Sequence, residues 1–350
     1  MAVTTNNTIV PTVSNIYTTF DPSDVVIDQG MTVTEDLWSS GIGGTLQTFY
    51  TSSVEVTGSG DYYYDVYQTL PSNSNAEVQF SIAYGNYYGS GSYNNFPNSG
   101  EVGFTPSRAI YSQYRNILLP NGYNAFSLAN GKTTTQFMAI CFERARYKEK
   151  LDPGYWQLNL ANGGTITTLV DSNVDGDDST VYDSYDIVSG SISNGIYMSG
   201  GNPVYYGKVY PKFATLIIDA SMLNASASIG ITQSSHPVST TNNNSVFYNA
   251  IVAGNGFSAR NIQTISSTYY FVRVKNAAYN YSTNPTYYSG SSGQLLFSDW
   301  INNPVSFITT VGLFDDSTNL LAVAKLSQPI QKNKSTEALI RVMLSFWWAT

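Results

Sequence analysis

The sequence predicts a mainly β protein: multi-domain, antiparallel, sandwich-like sheets with one clear amphipathic helix at about residues 106–119. Composition is the first ground, with 28 Tyr, 28 Gly and only 11% charged residues; aromatic and β-branched side chains suit a pleated, half-buried surface, and Gly, Asn and Ser suit its turns. The second is the period of two in "EVQFSIAYG", where Val78, Phe80, Ile82 and Tyr84 share one face and Glu77, Gln79, Ser81 and Ala83 the other. The third is a single switch to a helical period in "TPSRAIYSQYRNILLPNG".

Taken in order, the first 50 residues are rich in Thr, Asn and Ser, with short apolar pieces such as "DVVID", and read as an extended arm or a few edge strands. "DYYYDVYQ" is expected to pair with "EVQFSIAYG" across "LPSNSNA", and "GNYYGSGSYNNFPNSG" is a loop by its Gly, Asn and Ser density. In the helix, Thr105 stands at the N-cap and Pro106 at the first position, Ile110, Tyr114, Ile117 and Leu118 fall on one face, and Pro120-Asn121-Gly122 ends it. Such a helix should lie over a sheet.

"TTTQFMAICFERARY" and "YWQLNL" follow as strands. Asp152-Pro153-Gly154 between them reads as a turn that makes the two neighbours. Two further strands flank Tyr210-Pro211, the second buried at Leu216–Ile218, and "TYYFVRVKN" is another. "TTVGLFDDSTNLLAVAKLSQPIQK" is a hairpin with its bend at Asp315–Asn319, closed by a strand through Ala338–Phe346. At 350 residues the chain has room for an arm (1–60), a β domain with the helix (61–200) and a carboxyl-terminal β module (201–350).

Charge is segregated along the chain. Residues 1–107 hold 10 acids and no Lys or Arg, 108–150 hold 7 bases and 2 acids, 151–200 hold 7 acids and no base, and 201–350 hold 9 bases and 5 acids. Such blocks suit faces that meet partners of opposite charge, or uneven drift on a solvated surface. The net charge of -8 disfavours nucleic acid, since the one dense basic run, "RARYKEK", is short and carries a Glu. The lone Cys141 sits in "FMAICF" as a small hydrophobe, so no disulfide framework is available. The opening residues lack the charged and apolar regions of a signal peptide, and no apolar window is long enough for a membrane span, so synthesis and folding in a cytoplasm are expected.

Catalytic equipment is sparse. His236 is the one histidine, in a Ser/Thr/Asn loop without the partners of a nucleophilic triad or a zinc site. The acidic run "DSNVDGDDSTVYDSYD" supplies carboxylates of the type that glycoside hydrolysis needs, but no motif isolates a pair. In the same run Asp171, Asn173, Asp175 and Gly176 follow the spacing of a calcium loop, whereas Tyr182 stands where its bidentate Glu belongs. "GIGG" and "GSGS" lack the Lys-Ser/Thr of a phosphate loop. No enzyme and no cofactor are expected. The aromatic runs remain; beyond sheet packing, Tyr and Trp favour interfaces, which marks Tyr287, Tyr288, Trp347 and Trp348 as candidate partner-binding residues.

"STYYFVRVKNAAYNYSTNPTYYSGSSGQL" followed by "NPVSFITTVGLFDDSTNLLAVAKLSQPIQKNKSTEALIRVMLSF" resembles the terminal module of virion structural proteins of contractile-tailed phages, particularly those infecting marine cyanobacteria. Segments resembling "AEVQFSIAYGNYYGSGS", "RAIYSQYRNILL" and "ERARYKEKLDPGYWQLNL" occur in the same order, so the likeness runs from about Tyr62 to Phe346. It implies a tail or baseplate component of the virion, made in the host cytoplasm and without catalytic residues. Its implied partners are other virion tail or baseplate proteins, a tail fibre and further copies of itself. Two alternatives stay open: a receptor- or carbohydrate-binding β module of a tail fibre, presenting the Tyr87–Tyr93 and Tyr287–Tyr288 loops, and a neck or head-tail connector protein.

Overall fold

In a computed structural model the described residues are 19–38, 44–52, 62–93, 105–176, 184–232, 238–239, 242–280, 285–289 and 293–347. Their principal strands are β1 (Val25–Asp36), β2 (Tyr64–Tyr67), β3 (Val78–Asn86), β4 (Gln136–Phe142), β5 (Lys150–Asn162), β6 (Thr165–Asp171), β7 (Tyr185–Ser191), β8 (Tyr205–Tyr210), β9 (Thr215–Asp219), β10 (Phe257–Val274), β11 (Ser306–Phe314), β12 (Leu320–Lys332) and β13 (Ala338–Trp347). The longer helices are α1 (Pro106–Leu118), α2 (Ala220–Ala227) and α3 (Asn243–Gly254). The protein is mainly β with a large antiparallel sheet, as expected.

Compact units follow spatial contact, and there are two: residues 32–264 form the larger, and residues 19–31 with 265–347 the smaller. The breaks expected at 60/61 and 200/201 both fall inside the larger unit. The described part of the expected arm also contributes core, because Leu37, Trp38, Leu46 and Phe49 are buried there.

In the larger unit the strand order is β10-β5-β6-β7-β8-β9-β4-β3-β2, antiparallel throughout. Alternation along β4 sends Met138, Ile140 and Phe142 into one cluster and Phe137 and Ala139 into another on the opposite face. Phe257 of β10 and Phe80 of β3 lie far apart in strand order, yet their rings are 5.3 Å apart. The sheet therefore curls until its ends share one core, the sandwich-like arrangement that buries both apolar faces.

Helix α1 covers the second face, with Tyr111 and Tyr114 packed on Phe137 at 5.2 and 5.7 Å. Two details differ from the sequence reading. Tyr111 is buried while Ile117 is exposed, and Thr105, which does stand at the N-cap, donates its hydroxyl to Gly89 O at 2.6 Å and makes no side-chain capping bond to the helix. Helices α2 and α3 are additions to the one helix expected. Asp219 caps α2 by accepting from Met222 N, and Asn242 caps α3 by accepting from Asn244 N and Ser245 N. At Gly254 a Cβ would lie 2.1 Å from Asn159 O, so α3 can approach β5 only through glycine.

Asp152-Pro153-Gly154 is not a turn. It lies inside the continuous strand β5, which pairs with β6 and β10, while β4 pairs with β3 and β9. Register shifts at this point, where Ala259↔Trp156 gives way to Asn261↔Leu151. Gly154, at φ +83, turns its N–H toward the Asp171 carboxylate at 2.8 and 3.0 Å. A bulge uses the same turn chemistry as a reversal without reversing the chain.

In the smaller unit, β13 pairs with the distal half of β10 from Ala338↔Val274 to Trp347↔Ile265, and β11 with β12 forms a separate hairpin. The hairpin and its bend appear as expected, but the closing strand joins β10 and not the hairpin. Between the layers lie Val274, Val311, Leu313, Ile340 and Val342.

Candidate functional site

The expected partner-binding aromatics lie in the smaller unit. Tyr287 ends a short 3-10 turn, Pro285–Tyr287, with its half-buried ring 5.2 Å from Trp300 and 6.3 Å from Phe297. Trp300 donates its indole N–H to Val305 O, so the cluster is tied at both ends. Tyr288 pairs with Leu295 in a two-residue ladder. Trp347 pairs through its backbone with Ile265; its side chain and the whole of Trp348 lie outside the described residues.

More apolar surface is displayed by residues the sequence reading did not single out. Phe307 and Val323 point outward from the hairpin, Leu339 and Met343 from β13, and Phe297 from the aromatic cluster, all more than half exposed. Arg341, between Leu339 and Met343 on the same face, lies over the Tyr269 ring at 5.3 Å. Period two made both faces of each strand legible, but it does not tell which face another layer covers.

The calcium-spaced residues are engaged in the bulge. Asp171 is fully buried and its carboxylate accepts from Gly154 N and, at 3.0 Å, from Asn173 N, capping a 3-10 turn over Ser172–Asp175. Asn173 Nδ2 donates to Pro153 O at 3.2 Å, and the Asp175 carboxylate lies beside Gly195. Among the described residues no cluster of three or more His, Cys, Asp or Glu side chains is placed to hold a metal. His236 lies outside the described residues.

A cavity of about 400 Å³ in the larger unit is lined by Trp38, Gln68, Asn75, Glu77, Gln79 and Arg146 among others. Its amides are committed to one another: Gln79 Oε1 accepts from Trp38 Nε1 at 2.9 Å, and Gln79 Nε2 donates to Gln68 Oε1 and Glu77 O, both at 2.8 Å. These bonds hold the β2–β3 connection over buried indole. Nearby in sequence, Tyr87 and Tyr88 are exposed and meet edge to face at 5.0 Å.

Titration is perturbed mainly by burial. It pushes Tyr84 and Tyr111 up to about 12, and raises Tyr114, Tyr210, Tyr206 and the Cys141 thiol. At the hairpin bend, side-chain and then backbone hydrogen bonds from Asn319, with a further one from Ser317, hold the exposed Asp315 carboxyl below the usual range.

The charge blocks meet one another within the chain. Arg146 pairs with Glu77 and Lys148 with Glu35, joining the basic 108–150 block to the acidic 1–107 block. Lys208–Asp186 at 3.0 Å and Arg260–Asp152 at 2.6 Å join 201–350 to 151–200, and Arg273 pairs with Asp24. Arg260 also lies 3.4 Å from the Tyr155 ring centroid. Lys132 with Asp219 joins two of the basic blocks and departs from this scheme. Part of the segregation along the chain is thus taken up by ion pairs formed on folding.

No protein-family model matches the sequence, and no curated protein or solved structure matches it either. Among the described residues no helix is long and apolar enough to cross a membrane.

Proposed function

We propose that this chain is a non-enzymatic structural subunit of a contractile phage tail, stationed at the baseplate, where it binds neighbouring tail proteins and further copies of itself and connects a tail fibre. The observation that carries the assembly role is the smaller unit's outward surface, where Phe297, Phe307, Val323, Leu339 and Met343 are exposed around a single thin core. Exposed apolar surface of that kind suits docking on other protein. The tail assignment draws on the sequence resemblance alone.

Purified virions split into head and tail fractions test the proposal. Mass spectrometry should find the chain in the tail fraction, and a density map of the particle should trace it against its neighbours. Presence only in the head fraction, or absence from particles, overturns the assignment. A second reading, a glycan-binding module, is favoured by the exposed Tyr87–Tyr88 pair. It requires binding on a glycan array that is lost when both become Ala.

A further inference from the structure

We propose that the free edge of β13 is a pairing site for a second copy of this chain, the two strands running antiparallel about a two-fold axis at Val342. The inference deepens the assembly reading above, on which it rests, by naming one partner as the chain itself.

One edge of β13 is occupied by β10 along all ten residues. Among the described residues no strand pairs with the other edge. An edge of that length presents unpaired N–H and C=O groups, and monomeric proteins blunt such edges with Pro, bulges or inward charges. The hairpin of the same unit has these devices: β12 carries Pro329 and exposed Lys325, and its register with β11 shifts between Ile308 and Thr310. Strand β13 has no Pro, no Gly and no acid, and Arg341 is its one charge. Two edges in one small unit are therefore treated differently.

Self-pairing also satisfies the faces. About Val342, Ile340 stands opposite Leu344 of the other copy, so the inward positions stay inward and the apolar layer continues across the axis. On the outer face Leu339 meets Ser345 and Arg341 meets Met343. In this register no like charges are opposed, whereas an axis at Arg341 would set the two arginines against each other. Symmetric closure of this kind is the commonest route to a dimer.

Met343 and Leu339 are 55% and 57% exposed, so substitutions there leave the fold intact, which circular dichroism verifies. In sedimentation of the full chain over a concentration series, wild type should dimerise reversibly. Met343→Lys opposes a second cation to Arg341 twice per dimer, and should weaken dimerisation by roughly tenfold or more. Met343→Glu supplies Arg341 with a counter-charge and should tighten it. A wild-type chain that stays monomeric overturns the proposal, as do opposite charges at 343 with equal effects. A monomer that is nevertheless found in virion tails removes the edge and leaves the assembly reading standing; a dimer absent from virions does the reverse.

Discussion

The two units bury their apolar residues to different depths. In the larger, Val66, Phe80, Ile82, Leu158, Leu216, Phe247 and Phe257 are completely shielded, whereas the five core residues of the smaller each retain 5 to 8% exposure. A curled sheet with helices on it can close around its own interior; a short sheet and a hairpin close one interior and leave their backs to solvent. The contrast teaches that one stretch of this chain closes around its own interior while another leaves apolar side chains in solvent.

Alkaline pH should distinguish the two units most. Tyr84, Tyr111, Tyr114 and Tyr210 all belong to the larger unit, and burial raises each. Above the ordinary tyrosine value of about 10 the unfolded chain releases protons that the folded one keeps, so stability is full below that pH and falls as pH climbs toward 12. Thermal melts at pH 9 and above should show the larger unit unfolding at progressively lower temperature.

Among substitutions, Phe80→Ala should cost the larger unit about 4 kcal/mol, because its ring meets Phe49, Phe142 and Phe257; denaturant titration measures it. Asp171→Ala should cost roughly 2 kcal/mol by orphaning the Gly154 N–H in the β5 bulge, and hydrogen exchange at Gly154 should accelerate. Leu313→Ala, in the thin core of the smaller unit, should fall near 2 kcal/mol, at the low end for such truncations, because the site is less enclosed. Arg146→Ala should remove under about 1 kcal/mol, because its partner Glu77 is exposed, and the difference should shrink in high salt. A loss from Leu313→Ala as large as that from Phe80→Ala would erase the distinction between the units.

The strand-rich class, α1, the hairpin, the β2–β3 pair and the strands β8 and β9 were legible because each rests on period or turn chemistry within a short window. What was not legible depended on distant neighbours. Asp152-Pro153-Gly154 has the residues of a reversal, and Asp171, far along the chain, makes it a bulge. Helix α3 hid because it is packed on more than one side, burying Asn243 and Asn244 as well as Phe247 and Ile251, so its sequence shows no polar stripe. The candidate surface was half legible: a period of two puts Leu339 and Met343 on one face of the last strand, but their exposure depends on the hairpin covering the opposite one.

Lys332, at the end of β12, is completely enclosed in the smaller unit and, unlike the buried Asp24 with its Arg273, forms no ion pair among the described residues. Its ammonium donates to Asn276 O at 2.9 Å, Asn280 Oδ1 at 2.8 Å and Asn333 O at 2.7 Å, three neutral oxygens from two connecting turns. The three ammonium protons are thus all satisfied, and the cation that gathers the turns is fastened to the chain by its own side chain. The two turns are gathered around a positive charge that no chelator can extract and no change of external salt can replace.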